Sequence, residues 1–399
     1  MEFNSLKNEK LYNPNFIKKN INKLSFLFLF IFSIAILFVE KAESKPIIDG
    51  NGSYSITAVE TTKNKAIIGN FDGRIRIVNT KNSEISLLEL VHRKEIISLS
   101  ADIRGKYLLS TGSDDLNIVW NLETLKPVKR ILKPGMGIRS SKISQNGDYI
   151  YLLYPYSLYI YNTKTWETEG IVEGFKESLY SLDINYNNKY AAIGSKDGNV
   201  FIVDLEKHKI DKKIKAGNKL IISVDFAAEN NSLLVGGYDN VARLINPSKG
   251  EVLKEFSFFQ DAVKSVSLNR NGTKAAFASS DGNILFYDFK NNRSFGKPIQ
   301  TKDEIMFMAM DDSFKYAVIG VGTAYNNERY ALLIYPERSK LYRKIYSFQD
   351  SDILITESGY ISAIGSFGNK ISSYRHGEKE NYQTIINKYM NPKNLIVNY

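Results

Sequence analysis

The chain has 399 residues, 43% of them apolar and 24% charged, with a formal net charge of +10 and no cysteine. Lack of cysteine excludes disulfides, thiolate metal sites and a cysteine nucleophile, and three widely separated histidines (His92, His208, His376) argue against a histidine-rich metal centre. The full aromatic content excludes a disordered chain, and the basic excess, mostly lysine mixed with acids in turns, lacks the arginine-rich stripe of a nucleic-acid binder.

Residues 1–23 read as a basic tail, with Lys7, Lys10, Lys18, Lys19 and Lys23 against two glutamates. Leu24–Val39 is a charge-free run of sixteen apolar or small residues, about 24 Å long as a helix against a hydrocarbon core of roughly 30 Å. Snorkelling Lys23 and Lys41 extend its reach. The positive-inside rule then keeps the tail cytoplasmic and places everything after residue 45 outside the cytoplasm. Two readings stand: an uncleaved single-pass anchor, or a secretory signal cleaved in the context Ala42-Glu43-Ser44. The anchor is favoured by the length of the run, the Glu40-Lys41 pair and Pro46. A linker follows over 40–46.

From residue 47 the chain repeats about every forty-two residues, the signature of a stacked repeat architecture. The copies are GNFDGRIRIVN (69–79), GSDDLNIVWN (112–121), YPYSLYIYN (154–162), GSKDGNVFIVD (194–204), GGYDNVARLIN (236–246) and ASSDGNILFYD (278–288), with turn residues Asp72, Asp114, Pro155, Asp197, Asp239 and Asp281. A seventh copy, YALLIYP (330–336), follows the long loop Gly322–Arg329, and GNKISSYR (368–375) is a clipped eighth. Upstream strands such as SLYSLDI (178–184), IISVDF (221–226) and VKSVSL (263–268), and outer strands such as EVLKEFSF (251–258), make four short strands per unit. One such sheet cannot bury both its faces, but units packed around an axis can, which predicts an all-β propeller over 47–375. The count leans to eight blades, with Pro46–Gly50 pairing the chain's end to close the ring, over seven with an appended element. The turn aspartates are expected to hold turns closed by accepting backbone amide bonds, and to form no cation site.

This pattern resembles the WD40 repeat family over roughly residues 47–348, with Trp120-Asn121, Val203-Asp204 and Tyr287-Asp288 matching its terminal dipeptide. The family's Gly-His dipeptide is absent from every unit, which implies that its hydrogen-bonded tetrad is incomplete and that apolar packing holds the blades. Residues 347–397, with Thr356-Glu-Ser-Gly-Tyr360 and Tyr389-Met-Asn-Pro-Lys-Asn-Leu395, look like the segment closing propellers in bacterial WD40 proteins that continue into a caspase-like peptidase. The resemblance implies a bacterial propeller that keeps the sensor or scaffold half without the peptidase. The extension 376–399 is expected to carry one short helix over Gln383–Met390, with Ile385, Ile386 and Tyr389 facing the propeller.

Enzyme motifs are not matched. Ser113–Trp120 lacks the glycine of the sialidase Asp-box, and Ser279-Ser-Asp-Gly282 has it one place early. No nucleophile elbow, P-loop or dinucleotide fingerprint occurs. Asp311-Asp312 and Thr301-Lys302-Asp303-Glu304 read as solvated turns. In the tyrosine-rich third unit, Tyr149 and Tyr151 are expected to pack between blades, while Tyr154 and Tyr156, at the turn and in company with Tyr159 and Tyr161, suit a protein contact. The expectation is a non-catalytic, membrane-anchored interaction scaffold or assembly subunit. It has no catalytic, cofactor or metal residues, its partners are proteins of a membrane-associated complex, and it sits on the extracytoplasmic side of a bacterial inner membrane. Two alternatives remain: a soluble periplasmic accessory to an exported enzyme or respiratory complex, and a propeller enzyme with an unrecognised site, which an apolar-walled central pocket with converging acids and an arginine would favour.

Overall fold

Each repeat contains two continuous apolar runs and one alternating run, and the structure sorts them by distance from an axis. In the fourth blade the second and third strands, Tyr190–Ser195 and Asn199–Asp204, are buried on both faces, while the outer strand Lys209–Lys215 alternates between exposed lysines and inward isoleucines. Every unit is an antiparallel meander in sequence order from axis to rim. The inner strands are Ile56–Thr62, Ile96–Ala101, Ser140–Ile143, Leu179–Ile184, Ile221–Phe226, Val263–Leu268 and Ile305–Met310.

The computed structural model describes residues 54–347 apart from 83, 89–91, 134, 297, 323–328 and 337–341, together with the segments Ile47–Ile48, Ser351–Thr356, Ile361–Gly365, Ile371–Ser372, Tyr374–Arg375 and Glu378–Lys379. The apolar run 24–39, the cleavage context 42–44, most of the long loop after Gly322, the motif residues 357–360 and the helix expected over 383–390 lie outside the described residues. Among the described residues all regular structure is β-strand, and no helix is long and apolar enough to cross a membrane.

Seven apolar clusters form the core, each shared by two adjacent blades. The core is therefore an annulus, and the axis is left polar. The cluster of Ile56, Ala66, Ile68 and Val78 with Tyr316, Val318, Ala331 and Leu333 joins the first blade to the seventh. Seven blades close the ring, not the eight favoured from the sequence. The strands that suggested an eighth, Ser351–Thr356 and Ile361–Gly365, instead continue the seventh sheet beyond its outer strand Tyr342–Ser347. The chain's two ends do pair, Ile47–Ile48 with Ile371–Ser372, but as a separate two-stranded ladder. A further two-stranded antiparallel ladder pairs Tyr374–Arg375 with Glu378–Lys379.

Gly320 makes this closure possible. A Cβ there would lie 2.9 Å from Ile56 Cγ2, so only glycine lets the first inner strand seat against the seventh blade.

Candidate functional site

Two ends of the ring carry different turns. The turns between second and third strands share one end with the loops that lead from each outer strand to the next blade; the remaining turns share the other. At the first end the repeated aspartates do the work expected of them: Asp72, Asp114, Asp197, Asp239 and Asp281 each accept the amide two residues on, at 3.0–3.4 Å. Three also reach back across to the preceding interblade loop. Asp114 accepts from Arg93 N at 2.8 Å, Asp239 from Asn218 N at 3.4 Å and Asp281 from Gln260 N at 2.8 Å. One carboxylate thus ties a turn to a loop.

In the second blade the hydrogen-bonded tetrad is complete, which corrects the expectation drawn from the missing Gly-His dipeptide. Trp120 Nε1 donates to Ser110 Oγ at 2.9 Å, and Ser110 Oγ lies 2.9 Å from His92 Nε2. His92 Nδ1 lies 2.9 Å from Asp114 Oδ1. A carboxylate only accepts, so Nδ1 carries the proton and Nε2 accepts from the serine hydroxyl, giving one direction of donation from indole to carboxylate. Burial lowers the His92 pKa despite the pull of Asp114, which keeps the ring neutral. Burial opposes ionisation of Asp114, but the Arg93 amide and His92 outweigh it and hold that carboxyl below its ordinary value. The sequence did not mark His92 as a tetrad member because it follows Val91, not glycine; the available signal was Ser110 with Trp120, since Ser110 pairs with Ile118 and so lies diagonally across the same face from Trp120.

The axis holds a cavity of about 1430 Å³ that opens at the other end of the ring, with a mostly polar wall. One position in each of the first six inner strands faces it: Glu60, Ser100, Lys142, Asp183, Asp225 and Ser267 line it, spaced 40–42 residues apart. These groups bond blade to blade. Ser100 Oγ accepts from Ile143 N at 3.2 Å, Asp183 Oδ2 from Phe226 N at 2.8 Å and Asp225 Oδ2 from Leu268 N at 2.6 Å. Ser98, Ser223 and Ser265, two positions before, do the same for Ser141, Val266 and Met308. Lys142 breaks the series: its ammonium meets Asp183 Oδ1 at 3.0 Å.

Burial raises the Glu60 carboxyl to about 7, against the pull of Lys142 and the Thr61 and Ala101 amides. Burial, with the neighbouring Asp183 charge, pushes Asp225 well above the carboxylate range. Burial works to lower Lys142, but Asp183, Glu60 and Asp225 together hold it above its ordinary value. At the mouth Arg270 stacks on Tyr186 at 5.2 Å and pairs with Glu229 at 3.3 Å.

Other candidates fall as follows. Asp311 closes a turn by accepting from Lys315 N and Tyr316 N, as expected, but Asp312 is not merely solvated: it lines the axial cavity, and burial raises its pKa. Thr301 caps its own loop through Asp303 O and Gly282 O. Tyr149 and Tyr151 pack between blades. Tyr154 is buried rather than available for contact, whereas Tyr156 is 55% exposed. Among the described residues no group of three or more His, Asp or Glu side chains is placed to hold a metal ion. Acids and an arginine converge on the axis, yet the wall between them is not apolar, so only half of the enzyme criterion is met. The inner-strand ring was missed because the sequence reading followed the turn aspartates; the same 42-residue step applied to the inner strands finds it.

No family model matches the sequence. The chain is 23% identical over 180 residues to SEC12-like protein 1 of Arabidopsis thaliana, covering 43% of this chain and 45% of that protein, so it spans less than half of that relative's length. It is 24% identical over 269 residues to a p21-activated protein kinase-interacting protein 1-like of Gallus gallus, covering 64% and 70% respectively. The β-propeller domain of Myceliophteria thermophila Cps50 (Swd1) superposes with a TM-score of 0.60 at 15% identity, over 67% of this chain and 94% of that one. With seven meander blades, turn aspartates and a tetrad, the fold of this chain is a WD40-like seven-bladed β-propeller.

Proposed function

We propose that the protein is a non-catalytic, membrane-anchored scaffold or assembly subunit that holds a partner protein on the extracytoplasmic side of a bacterial inner membrane. The observation that carries the scaffold reading is the exposure of Phe71 (57%), Tyr156 (55%), Tyr238 (38%) and Phe258 (53%) at one end of the ring. Large aromatics left in solvent on turns are what a protein partner covers. Asp183 and Asp225 support the same reading, since each uses a carboxylate oxygen to join blades. A relative named for interacting with a kinase is in keeping with it. The anchor rests on the apolar run Leu24–Val39 and the basic residues before it. The tail's likeness to caspase-linked propellers supports a bacterial source and the sensor or scaffold half of such an architecture.

Affinity purification of a C-terminally tagged chain from native membranes, after an alkaline carbonate wash, tests the reading through intact mass and co-eluting chains. A mass that includes residues 1–44, with partners lost in Tyr156→Ala/Tyr238→Ala/Phe258→Ala, is expected. A mass starting near Lys45 with no partner overturns it in favour of the soluble periplasmic accessory. The enzyme alternative draws on the pairing of Asp225, whose carboxyl burial pushes well above its ordinary value, with a neighbouring Asp183 that meets the Lys142 ammonium at 3.0 Å.

A further inference from the structure

We propose that the outer strand of the second blade, Lys126–Leu132, docks onto a surface of anionic phospholipid headgroups. The proposal rests on the anchored reading above for its choice of occupant. Between Glu123 and Asp148 the chain has no carboxylate, and besides Lys142, which turns to the axis, it carries Lys126, Lys129, Arg130, Lys133 and Arg139. Among the described residues none of the first four makes an ion pair. Lys129 and Lys133 lie over blade-three rings, Trp166 at 5.6 Å and Tyr159 at 5.2 Å, which fixes them along the edge. Between the cations, apolar side chains stand in solvent: Leu132 is 61% exposed, Val128 48% and Leu125 36%. Cations flanking projecting apolar groups on a convex rim match a headgroup layer over an acyl boundary.

The fourth blade's outer strand is also lysine-rich but differs in both respects. Lys213 pairs with Asp197 at 3.5 Å, Lys215 donates to Asp197 O at 2.7 Å and Lys212 donates to Ser248 O. Its isoleucines face inward. The two strands lie roughly 100° apart around a seven-membered ring, so one flat surface cannot take both. An added peptide strand fits the second blade poorly, because Pro127 offers no amide to a new ladder. The tether points the same way. Sixteen residues separate Val39 from Ile56, a reach of at most about 55 Å, and Ile56 opens the blade next to the docking edge.

Full-length chain in nanodiscs of phosphatidylcholine alone, or of phosphatidylcholine with phosphatidylglycerol, gives the test by hydrogen exchange over residues 125–133. Exchange is expected to slow at least about threefold only in the anionic discs, and to recover at about 0.5 M salt, where screening shortens to a few ångströms. Lys126→Glu/Arg130→Glu should remove the protection, and Leu132→Ser should weaken it, with exchange in the other blades unchanged as the folding control. Equal exchange in both discs, with the chain retained, overturns docking and leaves the anchor standing. A chain that does not stay in discs overturns the anchor; sedimentation of that free chain with phosphatidylglycerol vesicles then decides docking, and a chain left in the supernatant sinks it. Protection by polyglutamate or heparin but not by phosphatidylglycerol also overturns the lipid assignment.

Discussion

Ser110 shows how much one hydroxyl carries. It accepts from the Trp120 indole and faces His92, so Ser110→Ala strands two buried polar groups at once. At about 1–3 kcal/mol for each unsatisfied group, the variant should lose at least about 2 kcal/mol in urea titration. Glu60 and His92 set opposed pH dependences. Glu60 titrates near 7 when folded against 4.5 ordinarily, so between those values the folded state holds a proton the unfolded chain has released. Its contribution is favourable at low pH and is lost as the pH rises through 7. His92 is depressed below 6.5, so the unfolded state gains a proton first and stability falls as the pH drops through 6.5. Glu60→Gln should therefore be more stable than the parent at pH 8, by about 1 kcal/mol once water in the channel is allowed for, and nearly equal to it at pH 4. A parent-like pH profile in the variant would refute the assignment.

Within a blade the two middle strands are the most buried, the inner strand is half-buried beside the channel and the outer strand is the most exposed, as in the fifth blade. Among the described residues the outer strands leave one edge unpaired except in the seventh blade, and in the second and fourth blades that edge is coated with lysine, which opposes edge-to-edge association. The turn aspartates act at this scale as well, because one carboxylate serves two elements. In the sixth blade Asp281 bonds both Asn283 N and Gln260 N. Asp281→Ala should cost about 1–2 kcal/mol and speed amide exchange over 257–262 more than elsewhere. Uniform change across the blades would contradict the loop-tying role. The turn period was legible because this bond needs an acid at a fixed place in each copy. The partner amide some twenty residues earlier was not, since any residue supplies an amide.

Ring closure belongs to the whole molecule. Among the described residues no strand is exchanged between the first and seventh blades; the seam is an apolar cluster with side chains reaching over it. Tyr316 Oη donates to Lys63 O at 2.6 Å, and Tyr335 Oη and Arg343 Nη1 both donate to Thr80 O at 2.9 Å. Gly320→Val, which drives a side chain into Ile56, should destabilise by about 1–3 kcal/mol and lower the cooperativity of unfolding. Tyr316→Phe should cost about 1 kcal/mol with cooperativity kept. Equal behaviour of the two variants would mean that the seam is not the weak joint.

The sequence by itself determined the blade: four strands, their order, the turn acids and the repeat length, because each depends on contacts within some forty residues and recurs in every copy. Even Tyr149 and Tyr151, as packing residues, were readable from strand alternation. What the tertiary structure decided was the number of blades, the completed tetrad and the polar axis. Seven rather than eight depends on whether Ile56 meets Gly320, residues 264 apart in the chain. Glu60, Lys142, Asp183 and Asp225 are unremarkable as single strand residues. Only closing the ring faces them toward one cavity, where shared burial and mutual charge shift the ionisation of Glu60, Lys142 and Asp225.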